Sequence, residues 1–263
     1  HNSEHSFPTR RSSDLLTHLS VCGQTRTVDV PEAGVRHWRS LIRYRQRLVA
    51  ARTRVKNHIK SILRRQGLET IRLWTEEGMA RLQSLARPLA ECDPAEFWRG
   101  ELAFELHRLT AAREDVERLT QRMDAIGRAD ARVRLLMDQD GVGPRLAEAV
   151  VAFIDRPQRF RTGKQVGAYA GLVARVYQSG QTARSGGITR AGNPVLRSLL
   201  VEVAWLGIRR DGWMRDVFKR VARGDPQRRQ RAIVAVARRL LIRLWATLRD
   251  GQAKPPPRSV VAA

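Results

Sequence analysis

At 263 residues with 42% hydrophobic side chains, the chain is long enough for one large core or two small ones and too apolar for a disordered protein. Its 49 Lys and Arg against 26 Asp and Glu leave a net charge of +23, so a polyanion is the expected partner. No apolar run reaches the ~18 residues of a membrane span, and Cys22 and Cys92 stand in no metal-ligand spacing, which excludes a helical membrane protein and a structural zinc domain. Only five of the basic residues are lysine (Lys56, Lys60, Lys164, Lys219 and Lys254), and the arginine fork suits phosphate oxygens. From Gly141 onward there are 24 basic and 7 acidic residues, which makes the C-terminal half the expected nucleic-acid surface. A reducing cytoplasm is the expected compartment, and no apolar signal core opens the chain.

The first stretch, HSFPTRRSSDL (His5 to Leu15), is the translation of a common short-read sequencing adapter. Residues 1–15 are therefore set aside as an assembly artefact, and the chain is expected to be an N-terminally truncated fragment. Residues 24–31, QTRTVDVP, alternate polar and β-branched side chains up to Pro31 and predict a short strand. From about Glu32 a helix is expected, with Leu41, Tyr44, Leu48, Ala51, Val55, His58 and Ile62 as a coiled-coil seam. Its other faces carry Arg43, Arg45, Arg47, Arg52, Arg54, Lys56 and Lys60, either a solvated face or a phosphate track. Gly67 ends that helix, residues 69–91 read as a shorter amphipathic helix, and Asp93 and Pro94 start the next. Leu102, Leu109, Ala112, Val116, Leu119, Met123 and Ile126 continue in heptad spacing, so residues 34–130 predict an antiparallel helical hairpin.

Leu135 to Ile154, LLMDQDGVGPRLAEAVVAFI, has the form of a helix-hairpin-helix. Gly141 and Gly143 give the turn its backbone freedom, and Pro144 suits the first turn of the second helix. Backbone N–H groups at such a turn, with Arg145 beside them, suit phosphate binding without base reading; an ordinary tight helix turn is the alternative. After a short helix GKQVGAYAGL comes RVYQSGQTARSGGITRAGNP, Arg175 to Pro194, a glycine-rich loop with two serines. Arg175, Arg184 and Arg190 make it a candidate phosphate grip, and a serine among arginines could attack a phosphodiester. No His or acidic cluster lies nearby in sequence to activate that serine. Asn193 and Pro194 launch an apolar helix, a further helix spans Arg228 to Leu248, and AKPPPRSVVAA is an expected disordered tail.

RYRQRLVAARTRVKNHIKSILRRQGL, GVGPRLAEAVVAFI, FRTGKQVGAYAGL and YQSGQTARSGGITRAGNPVLRSLL resemble, in order and spacing, segments of the insertion-sequence one-ten transposases, in their eleven-eleven subgroup. The likeness covers roughly residues 24–250. It implies a recombinase that cuts and rejoins DNA with a serine nucleophile, guided by a structured bridge RNA. It also implies a RuvC-like N-terminal domain whose acidic residues bind Mg²⁺. Residues 16–33 would be only the last stretch of that domain, so no metal ligand is assignable here. The serine directly before the loop glycine is Ser179, the implied nucleophile, with Ser185 the lesser candidate. Ala174 stands where related loops often carry proline.

The expected fold is mainly α. A long coiled-coil hairpin over residues 34–130 precedes a helical transposase domain over 131–250, with the tail at 251–263. DNA, bridge RNA and further copies of the chain are the expected partners, in a nucleoid-associated cytoplasmic setting. A non-catalytic helix-hairpin-helix protein is the other reading of the same residues.

Overall fold

The computed structural model describes residues 14, 17–22, 29–179, 182–189 and 191–251, with 176–179 and 182–185 described by their backbone. Residues 1–32 and 33–263 are two compact units. In the first, residues 17–21 form a helical turn, with Cys22 Sγ 3.4 Å from His18 Nδ1. Of the strand expected at 24–31, residues 24–28 lie outside the described residues, and 29–31 form no strand.

The second unit is mainly helical. Its elements are α1 (Ala33–Arg65), α2 (Glu76–Leu85), α3 (Phe97–Ala129), α4 (Ala131–Met137), α5 (Pro144–Ile154) and α6 (Gly163–Tyr169). Strands β1 (Ala174–Ser179) and β2 (Thr182–Ile188) follow, then α7 (Pro194–Arg210), α8 (Gly212–Ala222) and α9 (Arg229–Gly251). No helix among the described residues is long and apolar enough to cross a membrane.

Helices α1 and α3 pack antiparallel, as Arg45 bonding Thr120 near one end and Arg65 bonding Glu101 near the other require. On α3 the heptad reading holds, because Leu102, Leu109, Val116 and Met123, seven apart, are all buried. On α1 the seam is rotated from the expected one. Trp38, Ile42, Val55, Ile59, Ile62 and Leu63 go under, whereas Tyr44 is 48% exposed. This register buries Trp38 and two further isoleucines in place of a tyrosine and a histidine, a gain of about 1.5–3 kcal/mol for each large apolar side chain. His58 sits at the edge, its ring nitrogens 3.2 Å from Glu101 and 3.3 Å from Glu105.

Of the helix expected over 69–91, only α2 and a short 3₁₀ turn at Leu89–Glu91 form. Thr75 caps α2 by accepting from the Gly78 amide. Asp93 and Pro94 begin a 3₁₀ turn, and α3 starts three residues later than the sequence suggests. One apolar cluster joins the outer parts of α1 and α3 to α2, through Ile59, Leu63, Leu82 and Leu109. The larger core lies around α5, whose residues Leu146 to Ile154 are all buried. A helix apolar on every side belongs at the centre of a domain, and α1, α4, α7 and α9 pack against this one.

The C-terminus of α5 is closed by three arginines from three elements. Arg39 Nε donates to the Ala152 carbonyl at 2.7 Å, Arg159 donates to Phe153 and Ile154, and Arg132 reaches the Asp155 carbonyl. Their charges face the negative end of the helix dipole and satisfy carbonyls that have no partner within the helix. Arg39 thereby ties the helical hairpin to the central core.

Candidate functional site

The stretch expected to be a flexible loop is instead a two-stranded antiparallel sheet. Ala174 faces Ile188, Val176 faces Ser185, Tyr177 faces Arg184 and Ser179 faces Thr182. The alternation in ARVYQS, with a β-branched and an aromatic residue, favours a strand, and a two-residue connection beginning with glycine is a hairpin signal. Hydroxyl and glycine content concealed that pattern. The register shifts between Ala174 and Val176, so β2 carries an extra residue around Gly186 and Gly187, a β-bulge.

The hairpin is fastened at its base. Thr189 N–H donates to the Val173 carbonyl, and Arg175 reaches the Thr189 carbonyl at 3.1 Å. Asn193 N–H donates to Tyr169 at 2.9 Å, while the Asn193 side chain caps α7 by accepting from Val195 and Leu196. Gly192 has φ +137°, and a Cβ there would stand 2.6 Å from the Gly171 nitrogen, so only glycine lets the two legs approach.

Ser179 thus has its backbone at the far end of β1, about 17 Å from Ala174 at the usual strand rise. Ser185 lies nearer the base, opposite Val176. Arg175 is exposed on the first turn of the strand. Arg184 is placed by its backbone opposite Tyr177, and Arg190 lies outside the described residues. The structure therefore brings Arg175 to the hairpin base and sets Ser179 at the opposite end.

The second expected site has the turn geometry foreseen. Helices α4 and α5 flank it, Gly141 adopts φ +78°, Gly143 is the N-cap of α5 and Pro144 opens its first turn. Gly141 and Gly143 are exposed. Arg145, expected at phosphates, is turned inward. It pairs with Asp124 on α3 and stands 3.0 Å from Glu148 Oε1. Glu148 is wholly buried, and neither of its oxygens meets hydrogen-bond geometry, so the contact with Arg145 is one of charge. Burial pushes its carboxyl up against the opposing pull of Arg145. The guanidinium of Arg145 is thus committed to holding α5 against α3.

Part of the basic face of α1 is engaged in the same way. Arg45 donates to Thr120, Arg43 lies over the Phe153 ring and Lys56 over the Trp74 ring. Burial holds the Arg45 and Lys56 pKa values below their ordinary ones. These side chains serve packing more than a phosphate track.

A feature absent from the sequence reading lies between the hairpin base and α9. A cleft of about 1180 Å³ is lined by Arg175, Gly187 and Ile188 on one side and Arg231, Arg238 and Arg239 on the other. Leu172, Val234, Ala235 and Ile242 form its apolar part, and among the described residues no carboxylate lines it. Reading α9 only for its buried stripe of Ile233, Val236, Leu240 and Leu244 left its opposite face unexamined. The signal was present in arginines spaced seven and eight apart.

Among the described residues no three His, Cys, Asp or Glu side chains converge as a metal site would require. The Mg²⁺ implied by the family likeness therefore has no assignable ligand set among the described residues.

Residues 133–219 match the transposase IS116/IS110/IS902 family. That range contains the α4–α5 turn and the whole hairpin, and it ends before α9. The chain is 35% identical over 215 residues to a protein of Pseudomonas aeruginosa described as a family 20 transposase, covering 81% of this chain and 62% of that one. It is 31% identical over 255 residues to a protein of Sinorhizobium fredii described as transposase y4rJ, covering 88% and 61%. It is 27% identical over 228 residues to the transposase for insertion sequence element IS1111A of Coxiella burnetii, covering 80% and 57%. The chain spans about three fifths of the length of these curated relatives.

Proposed function

From a chain that carries a transposase domain of the IS116/IS110/IS902 family, we propose a DNA-recombining protein whose β-hairpin presents Ser179 as the strand-cleaving nucleophile. The observation that carries this reading is the hairpin itself. A mainly helical domain projects one two-stranded arm, stapled by Gly171, Gly192 and Asn193, with the Ser179 backbone at its outer end. In the reaction the Ser179 hydroxyl oxygen attacks phosphorus, the bond from phosphorus to one bridging oxygen breaks, and a phosphoserine ester links protein to DNA. The leaving oxygen takes up a proton. Attack by a hydroxyl-ended strand on that ester reverses the step and rejoins DNA.

Serine is a weak nucleophile without a base, and the activating groups are assigned to an acidic domain of the kind the family likeness implies, with its Mg²⁺. The exposed Gly141–Gly143 turn would hold a phosphate through backbone N–H groups, and a guide RNA paired to donor and target would select the sites. Assembly as a homo-oligomer would bring two strands together.

The test is recombination of paired donor and target DNA with guide RNA, using the chain joined to such an acidic domain, with denaturing gels for a covalent adduct. Ser179→Ala should abolish the adduct while changing DNA affinity little, since one neutral hydroxyl contributes only about 0.5–1.5 kcal/mol. Ser185→Ala should retain activity. The reverse pattern would move the nucleophile to Ser185, and normal recombination by both would leave the hairpin a binding element only.

A further inference from the structure

We propose that the cleft between the hairpin base and α9 binds a single nucleic-acid strand, gripping its phosphates with Arg175, Arg231, Arg238 and Arg239. The inference rests on the strand-handling role given to the hairpin and adds a subsite to it. Charge is the first argument. Among the described residues four arginines line one cleft with no carboxylate, and none of Arg231, Arg238 and Arg239 forms an ion pair. Concentrated like charge of this kind is self-repelling until a polyanion neutralises it. Other arginines are paired with carboxylates, as Arg145 and Arg132 are with Asp124 and Asp130. The contrast makes the cleft arginines available.

Size and shape point to a polymer. At about 1180 Å³ the cleft exceeds the ~300–1,000 Å³ of ordinary small-molecule pockets. Arg231 and Arg238 lie seven residues apart on one face of α9, about 10 Å along its axis, so the basic rim is elongated rather than a single point. Between them the half-buried Val234 and Ala235 give an apolar floor. A duplex shows a protein surface its phosphates and sugars, with the base faces stacked inside. A single strand also exposes base faces, which bury on an apolar floor while the phosphates follow the basic rim.

Gly187 supplies an independent observation. A Cβ at this position would meet nothing within 4 Å, and its φ lies outside the region that favours glycine. Packing does not demand glycine there, and beside the β-bulge the missing side chain leaves the lip of the cleft open to close backbone approach. Position completes the argument. Arg175 is four residues before Ser179 on the same strand, about 13 Å away along it. A strand held in the cleft would be bound about 13 Å from the hairpin tip, so the cleft holds the flank of the reacting strand rather than the scissile phosphate.

Fluorescence anisotropy of the full chain with labelled single-stranded DNA, single-stranded RNA and duplex DNA of equal length tests this. Arg231→Gln with Arg239→Gln should weaken single-strand binding at least about tenfold and lower the log–log salt slope by about 1.4, since each lost phosphate contact on a single strand contributes about 0.7. Arg209→Gln with Arg210→Gln, which removes the same charge from the exposed end of α7, should cost less than about twofold. Gly187→Leu, which keeps every charge and fills the lip, should weaken single strands more than duplex.

The tighter of the two single strands, DNA or RNA, identifies the source of the ligand. Equal losses from both arginine pairs would show nonspecific charge and overturn the proposal, as would unchanged affinity in the Arg231 and Arg239 variant or a larger loss on duplex than on single strands. Ser179→Ala should bind normally in these assays, so a failed nucleophile assignment and a failed cleft assignment give different results.

Discussion

Arg39 offers a direct test of how the helical hairpin is joined to the central core. Its Nε donates to the Ala152 carbonyl at 2.7 Å, and its Nη2 reaches the Phe153 carbonyl at 3.3 Å. In Arg39→Met the stem packing is largely kept and the donors are lost. Ala152 is 1% exposed, so its carbonyl would lose its donor away from water, at a cost of about 1–3 kcal/mol. Phe153 keeps a bond from Arg159 at 2.9 Å and contributes little to the loss. Removing one charge from the negative end of α5 costs a further ~0.3–1 kcal/mol. The sum is about 1.3–4 kcal/mol. For a unit of this length each kcal/mol moves the melting temperature by about 2–4 °C, giving a drop of about 3–16 °C by circular dichroism. Arg39→Lys should fall between, because one ammonium can satisfy a carbonyl without the fork. A melting temperature within about 1 °C of wild type for Arg39→Met would show that water replaces the guanidinium and that the cap contributes nothing.

Gly192→Ala should loosen the hairpin base, because its Cβ would fall 2.7 Å from the Tyr169 carbonyl in a φ that L side chains avoid; a cost of about 1–3 kcal/mol and faster proteolytic cleavage near the hairpin are expected. Unchanged cleavage would remove the stapling argument. Glu148, raised by burial, contributes stability that is whole below the ordinary carboxylate pKa and is lost as pH rises through its raised value. The melting temperature of Glu148→Gln minus that of wild type should therefore grow between about pH 4 and pH 7, and a shrinking difference would mean that Arg145 outweighs burial. Asp130 has the opposite sign: burial raises it, but the hydrogen bonds and charge of Arg132 outweigh that and hold it low. Its contribution is present above the ordinary aspartate pKa and lost as pH falls through the lowered one, so Asp130→Asn should lose most, relative to wild type, above about pH 4.

The helical architecture was legible because periodic burial leaves a strong trace over long segments. Leu102, Leu109, Val116 and Met123 show it at intervals of seven, and all are buried. The α1 register was harder to read, because Leu41, Tyr44 and Leu48 form an equally regular stripe and only contact with α5 favours Trp38 and Ile42. The hairpin was misread as a loop for a different reason. Two strands of six and seven residues carry too few alternations to stand out against four glycines. The inward pairing of Arg145 was not legible, because sequence proximity to a glycine turn cannot reveal Asp124, twenty-one residues back, or the burial of Glu148. The cleft arginines were missed because their partners across the gap, Arg175 and Gly187, are more than forty residues away in sequence.

An isolated two-stranded hairpin is marginal in water, so its presence in a helical domain needs an anchor. The anchor here is unusually close. Gly171 and Gly192 let the two legs approach to backbone contact, Arg197 fastens the Ala170 carbonyl, and Asn193 joins the hairpin exit to the start of α7. Rigidity is thereby concentrated at the base, beside the cleft, and the strand carries that order outward to Ser179 through the β1–β2 ladder. Phosphoryl transfer tolerates little misplacement of the nucleophile, and an error near 1 Å can cost on the order of a hundredfold in rate. A serine on a free loop would meet that demand only by becoming ordered on binding. On the proposed reading, a serine whose backbone sits on a ladder fixed to the wall of the cleft would need less ordering, and a strand bound in the cleft would set both reacting partners from one base.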